Sequence, residues 1–293
     1  MISENDFGVK AVESMVQRAS CRAFAERDIE EEKLDLIMEA GLSAASGGNL
    51  QPVSIIMVKD RENARRLCEL CENQSFIAQA PVNLIFLLDW YKFSVYAADQ
   101  KAPFTCPDSY MHFLIGVEDV MCIAQSIETA AHLLGLGSCY VGSCIESCDK
   151  LAKDYNLPKY SFPILVLSLG YPKAVPPKRK KLSLDVMVFE ERYPDVSKEF
   201  IIERFNDKYA GMKMSLPKDE TRRAETLAEF REALLTTYSP EETETLISQA
   251  IKADFINETQ RRFGMQYHAK DMRTAGQDVI RKMEAQGLRP FRL

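Results

Sequence analysis

The chain of 293 residues is predicted to be a mixed α/β (α+β) protein, with a central sheet and an appended C-terminal helical region. Three observations carry this. Short apolar runs alternate with segments of helical period, the order expected of a sheet covered by helices. One run, Val82–Leu88, is apolar apart from Asn83, as in a strand buried on both faces. Roughly the last 100 residues read as helical, with no Gly- or Ser-rich linker before them.

The elements follow in order. Residues 9–24 read as a helix ending in the basic segment Arg18–Phe24. Ile29–Ala45 reads as a helix, since Leu34, Ile37, Met38 and Leu42 share one face and Glu30–Glu32 suit the positive end of its dipole. Val53–Val58 is a strand, Arg61–Cys71 a helix and Val82–Leu88 a second strand. Residues 90–113 hold Trp90, Tyr91, Phe93, Tyr96, Phe104, Tyr110 and Phe113, which suit either a local satellite core or a lid that stacks on a planar ligand.

Gly116–Leu134 is a long helix, apolar at Val117, Val120, Met121, Ala124, Ile127, Ala131 and Leu134, a broad surface for one helix. Cys139–Val141 and Phe162–Leu169 are strands, and Val186–Phe189 is a short extended segment. In the tail, Ser239-Pro240-Glu241-Glu242 starts a helix with Ser as N-cap, Pro at N1 and Glu at N3. Gly287 followed by Pro290 marks a stop. Between them Leu227, Phe230, Leu234, Leu246, Ile247, Ile251, Phe255, Ile256 and Phe263 recur at helical spacing, so the tail must pack on something.

Composition narrows the function. A net charge of −6 argues against a nucleic-acid backbone as partner. The segment Met1–Asp6 is acidic without an apolar core, unlike a signal peptide, and no apolar run nears the roughly 20 residues that span a bilayer. A cytoplasmic, non-membrane protein is expected. The 8 cysteines (Cys21, Cys68, Cys71, Cys106, Cys122, Cys139, Cys144 and Cys148) then read as reduced thiols. Cys68 and Cys71 form a C-x-x-C within a helical pattern, with no second pair at zinc spacing. The histidines are His112, His132 and His268, and no metal site is expected.

Two motifs carry chemistry. Ser46-Gly47-Gly48-Asn49-Leu50-Gln51-Pro52 sits between a helix and a strand and concentrates Gly with hydroxyl and amide groups. Glycines let backbone approach a ligand closely, and Ser, Asn and Gln can bond a heterocycle or phosphate. Arg18-Ala19-Ser20-Cys21-Arg22-Ala23-Phe24 places two Arg and a Ser within five residues, a set suited to phosphate. There is no G-x-G-x-x-G, so a nicotinamide dinucleotide would be a passing substrate, not a resident cofactor.

R-x-S-x-R-x-F followed by A-x-S-x-G-N-L-Q-P resembles the FMN-dependent nitroreductase family. Two further segments agree with it: Leu134-Gly135-Leu136-Gly137-Ser138-Cys139-Tyr140-Val141-Gly142-Ser143, and Leu169-Gly170-Tyr171-Pro172 with the basic run Lys178–Lys181 downstream. The chain departs from the family's frequent Arg at Ala19, Pro at Ala45 and Trp at Val53; Gly142 is acidic in some members.

The resemblance implies a nitroreductase-like central mixed sheet flanked by helices over residues 1–193, with a helical extension over 194–293. It implies FMN held by Arg18, Ala19, Ser20, Arg22 and Arg179 at the phosphate, and by Ala45, Ser46, Gly47, Asn49 and Gln51 along the ribityl chain and ring. Val141, Gly142 and Ser143 would supply backbone donors to the reduced ring. It further implies a homodimer with shared flavin sites, the loop 46–51 reaching in from the other subunit. NADH or NADPH would reduce the flavin, which would then reduce nitroaromatics, quinones or a similar acceptor by ping-pong kinetics, with no catalytic side chain. Two alternatives stay open: a specialised relative (dehalogenase, enoate reductase or flavin-fragmenting enzyme), and a non-catalytic flavin-binding protein with a partner-binding tail.

Overall fold

The computed structural model describes residues 6–267, 269 and 271–292. Met1–Asn5 and His268 therefore lie outside the described residues. The chain divides into two compact units, Met1–Lys178 with Asp278–Leu293, and Arg179–Gln277.

In the first unit, helix α1 (Phe7–Gln17) starts at Asp6, whose carboxylate accepts the Gly8 N–H. It ends at Arg18, where the backbone turns extended. The expected helix over 9–24 is thus too long, because residues 21–25 spend their backbone groups on the sheet side: Cys21 N–H donates to Ser138 O, and Ala25 N–H to Tyr171 O. Helix α2 (Glu31–Leu42) precedes β1 (Val53–Val58), α3 (Arg61–Leu70), the short α4 (Phe76–Gln79) and β2 (Val82–Asp89). Then come α5 (Tyr91–Asp99), the long α6 (Tyr110–Leu133), β3 (Gly137–Val141), α7 (Cys148–Asp154) and β4 (Ser161–Gly170).

The strands form one sheet in the order β1-β2-β4-β3, antiparallel throughout, where a mixed sheet was expected. Strand β2 lies inside it and is buried along its whole length. Its side chains alternate as a strand's must. Leu84 and Phe86 pack with Ile37 of α2 and Ile123 and Ile127 of α6, while Ile85 and Leu87 pack with Leu67, Ile77 and Leu151 of α3, α4 and α7. The register slips at Leu87, which faces Pro163 of β4, a residue with no N–H to give the ladder. The polar interruption, Asn83, is satisfied: its amide donates to Ile77 O, and Ser168 Oγ donates to its carbonyl.

Helix α6 begins at Tyr110, earlier than its apolar pattern, with Ser109 as its cap. Its buried face runs Gly116, Asp119, Val120, Ile123, Ala124, Ile127, Glu128 and Ala131. That is helical spacing, but two of the positions are carboxylates. The opposite face is open. Met121, read among its apolar positions, is 40% exposed, and Leu133 is 47% exposed.

The second unit holds α8 (Lys198–Lys208), β5 (Lys213–Ser215), α9 (Glu220–Leu235), α10 (Pro240–Ala253), β6 (Phe255–Asn257), α11 (Glu258–Gln260) and a π-helical turn, Arg261–Gln266. The capping box read at Ser239 is present, with Glu242 returning to the Ser239 N–H. Phe230, Leu234, Ile247 and Ile256 form its core with Leu216, Ala250 and Met265. Two expectations fail here. Phe255 and Ile256 belong to a β5–β6 ladder, not a helix, since Asp254 takes a left-handed cap that ends α10. Val186–Phe189 is no strand, because Leu184–Val186 forms a 3-10 turn.

Helix α12 (Met272–Ala285) ends before Gly287, which takes φ +92°. The chain from Asp278 onward belongs to the first unit. There Met283 and Leu288 bury themselves against Leu88, Trp90, Cys148 and Phe162. Phe93, Phe104 and Phe113 pack on the same cluster, so the aromatic stretch after β2 builds a satellite core. Tyr91, Tyr96 and Tyr110 stay exposed.

Candidate flavin site

The basic segment is held as a false edge strand. Cys21 N–H donates to Ser138 O of β3 at 2.7 Å, Phe24 bridges Pro172, and Lys173 N–H donates to Ala23 O at 2.9 Å. Cys21 and Phe24 are the anchors, 1% and 2% exposed. Ser20 and Arg22, on either side of buried Cys21, are exposed. Gly137 makes the approach workable: a Cβ there would sit 2.7 Å from Cys21 Cβ. Ala19 is half-buried beside them.

The two arginines differ. Arg22 is exposed, its guanidinium 5.8 Å from the Phe76 ring centroid, with no acidic partner among the described residues. Arg18 is half-buried, and its Nε lies 3.2 Å from Oε1 of Glu128, a carboxylate 1% exposed. Both cations act on β3: burial pushes the Cys139 thiol up, and Arg22 and then Arg18 oppose that. Downstream on β3, Val141 is buried, Gly142 is exposed with open space where a Cβ would stand, and Ser143 Oγ accepts from Gln74 Nε2 at 3.0 Å. A 3-10 turn starts at Ser143, and its first N–H groups add positive potential. Arg18 and Arg22 are therefore neighbours of Ser138 and Cys139 on β3.

The loop after α2 is held separately. Gly47 N–H donates to Asp119 Oδ1 at 2.8 Å. A Cβ at Gly47 would meet Ile115 Cγ2 at 2.7 Å, so this position must be glycine. Gly48, Asn49 and Gln51 take φ of +58°, +58° and +53°, two of them non-glycine residues in the left-handed region that fixed surroundings sustain. Gln51 is spent internally, its amide donating to Leu42 O at 3.0 Å and closing the loop on α2. Asn49 and Ala45 are exposed. Ser46 Oγ and Asp119 Oδ2 are buried without hydrogen-bond partners, and so is the Tyr140 hydroxyl on β3.

Nine residues separate Asp119 from Glu128 on α6, so the loop and the arginine segment stand on the order of 13 Å apart along its axis. Within one chain the structure brings 18–22 together with Ser138 and Cys139 of β3, and places 46–51 at the other end of that helix face. Arg179 is exposed at the first residue of the second unit.

Three residues were missed by sequence reasoning. Asp119 and Glu128 carried a signal, two acids in phase with the apolar stripe of α6. Gln74, in the turn before α4, carried none.

The donor set fits a flavin mononucleotide. An unpaired Arg, a second Arg with one acid partner and an exposed Ser suit a phosphate dianion. An orphaned buried Ser46 hydroxyl beside glycine backbone suits the polar edge of a ring. None of the ion pairs or hydrogen bonds at these residues forms an acid–base pair poised for proton transfer.

Comparison with known proteins agrees. The model of the Nitroreductase family matches residues 15–171. NADPH-flavin oxidoreductase of Vibrio harveyi is 31% identical over 186 residues, 64% of this chain and 75% of that protein. FMN reductase [NAD(P)H] of Bacillus subtilis (strain 168) is 30% identical over 185 residues, 63% of this chain and 74% of that protein. Among solved structures, nitroreductase A from Vibrio parahaemolyticus RIMD 2210633 superposes with a TM-score of 0.63 at 28% identity, covering 68% of this chain and 83% of that one.

Proposed function

The chain belongs to the nitroreductase family, and from that premise we propose that it is an NAD(P)H-dependent FMN oxidoreductase acting on small-molecule acceptors such as nitroaromatics or quinones. The observation that carries the reading is the docking of Arg18–Phe24 on β3 through the Cys21 N–H, which sets Arg18 and Arg22 beside Ser138 and Cys139, on the strand that leads to Val141–Ser143. FMN, when bound, takes electrons from NAD(P)H and passes them to the acceptor by a ping-pong exchange.

The protein's residues do the holding. Arg18 and Arg22 neutralise the phosphate, with Ser20 as a neutral donor. Ser46 and the backbone of Gly47–Asn49, fixed by Asp119, meet the ribityl chain and ring. The backbone at Val141–Ser143 and the helical start behind it favour negative charge on the reduced ring.

The site belongs to a homodimer in this proposal. The loop 46–51 stands two and a half helical turns from its own Arg18 segment, and beside it lies an open groove of about 770 Å³ lined by Ala40, Ala44, Ala45, Met121, Cys122, Gln125 and Leu133. A second copy laid on that groove would bring its own loop and phosphate segment to the shared seam. Among the described residues no helix is long and apolar enough to cross a membrane, and we assign the enzyme to the cytoplasm.

The test is the double variant Arg18→Ala/Arg22→Ala. It should fold, with a normal circular dichroism spectrum, and retain little flavin. Full FMN occupancy in that variant would sink the assignment.

A further inference from the structure

We propose that Glu128 is a positioning residue for the flavin phosphate: it grips Arg18 by Nε and so aims the guanidinium fork at the phosphate. The inference rests on the reading of Arg18 as a phosphate ligand and adds a residue that this reading does not require.

Glu128 sits on the sheet-facing stripe of α6, where every other buried residue except Asp119 is apolar or glycine. Its carboxylate is almost wholly buried, 1% exposed. Leaving a charge there without partners is costly, so its contacts must be made well. They are. Oε1 lies 3.2 Å from Arg18 Nε and accepts from Ser138 Oγ at 2.7 Å; Oε2 accepts from Gln125 Nε2 at 2.9 Å. Gln125 also donates to Thr129 Oγ1. The carboxylate therefore cannot swing, since each oxygen is held by a residue of its own helix or of β3.

The consequence falls on Arg18. It stands where α1 has ended and is 29% exposed, a place where a long side chain is ordinarily mobile. Glu128 holds it near the root of the guanidinium, and no other carboxylate is paired with Arg18 among the described residues. The two Nη groups are the pair that recognises phosphate bidentately. Binding at Nε thus removes rotamer freedom without blocking the recognition edge. A lysine could not do both, having a single point charge. Arg22, which has no such carboxylate, supplies charge without the same constraint.

The test compares FMN with riboflavin, which lacks the phosphate, on the flavin-stripped full-length protein by fluorescence quenching. The readout is the ratio of their dissociation constants, which a merely structural role would not move. The wild type should prefer FMN. Arg18→Ala should reduce that preference by roughly tenfold, the worth of one charged hydrogen bond. Glu128→Leu should reduce it about as much, with riboflavin affinity held. Glu128→Gln should also reduce it, because the amide carries no charge to hold the Arg18 guanidinium. Arg18→Lys, which keeps the charge, should lose the preference as Arg18→Ala does, because the ammonium is drawn to Glu128.

A wild-type ratio in Glu128→Leu would overturn the inference. If that variant does not fold, a wild-type ratio in Arg18→Lys overturns it instead. Equal loss of FMN and riboflavin binding in Glu128→Leu would also overturn it, showing a role in the fold alone. A wild-type ratio in Arg18→Ala would reject the phosphate reading itself, whereas loss there with no loss in Glu128→Leu and Arg18→Lys rejects only the part given to Glu128.

Discussion

The buried carboxylate of Asp119 accepts the Gly47 N–H at 2.8 Å, tying helix α6 to the glycine loop. Asp119 is 3% exposed and its second oxygen has no partner. A buried charge left half-satisfied is retained where it sets a geometry, and here the geometry is a turn with three left-handed positions, Gly48, Asn49 and Gln51.

Asp119→Leu should therefore cost about 1–3 kcal/mol, the penalty of an unpaired buried N–H, and should weaken FMN binding. Asp119→Asn keeps an acceptor and should lie near the wild type. Gly47→Ala should also weaken FMN binding, because its methyl meets Ile115. Urea denaturation and flavin titration check all three. Wild-type flavin affinity in Asp119→Leu would remove the loop from the site.

The thiols test the groove. Burial pushes Cys71 up to about 12 and Cys148 to about 11, and raises Cys21, Cys68, Cys106, Cys139 and Cys144. At pH 8 these stay protonated and react slowly. Cys122 is exposed in the single chain and lines the groove. If the groove is the dimer seam, the native protein has no fast thiol, and dilution to monomer exposes one. Fast alkylation of Cys122 in a dimer verified by light scattering would put the seam elsewhere.

Acid should reveal a surface network. The Tyr171 hydroxyl, then Glu30's own backbone N–H and Arg27, hold the Glu30 carboxyl at about 2 rather than 4.5. A depressed folded-state value means the contribution is complete above pH 4.5 and disappears as pH falls from there through about 2. Thermal melts across that window should lose stability less steeply in Glu30→Gln than in the wild type. Parallel curves would show that Glu30 is unperturbed.

The last helix can be probed with the single tryptophan. Met283 is 3% exposed in the cluster around Trp90, itself 1% exposed. Met283→Ala should cost about 2–5 kcal/mol, read by denaturation followed through Trp90 fluorescence. A change under about 0.5 kcal/mol would mean that the segment from Asp278 does not support this core.

Legibility followed periodicity. β1, β2 and β4 could be read because they are short, nearly continuous apolar runs, most of α2, α3 and α6 because their apolar residues recur at helical spacing, and α10 because its capping box is local. The end of α1 was not legible: residues 18–24 have no helix breaker, and the long-range bonds from Cys21 to Ser138 and from Lys173 to Ala23 make them extended. β6 was hidden likewise, since Phe255 and Ile256 fit a helical pattern until Met214 pairs with Ile256. At the site, the motifs marked Arg18, Ser20, Arg22 and Ser46–Asn49. Asp119 and Glu128 were passed over because acids within an apolar helix face look like solvated positions until the partner across the interface is known. Gln51 was read as a ligand, yet its amide closes the loop onto Leu42.

The most direct measurement is the visible spectrum of the purified full-length protein, recorded anaerobically before and after NADPH or NADH. The account predicts flavin absorption that bleaches with a nicotinamide and returns when a quinone or nitroaromatic is added. A protein that is colourless and takes up no added FMN, or one whose flavin neither nicotinamide reduces, would contradict it.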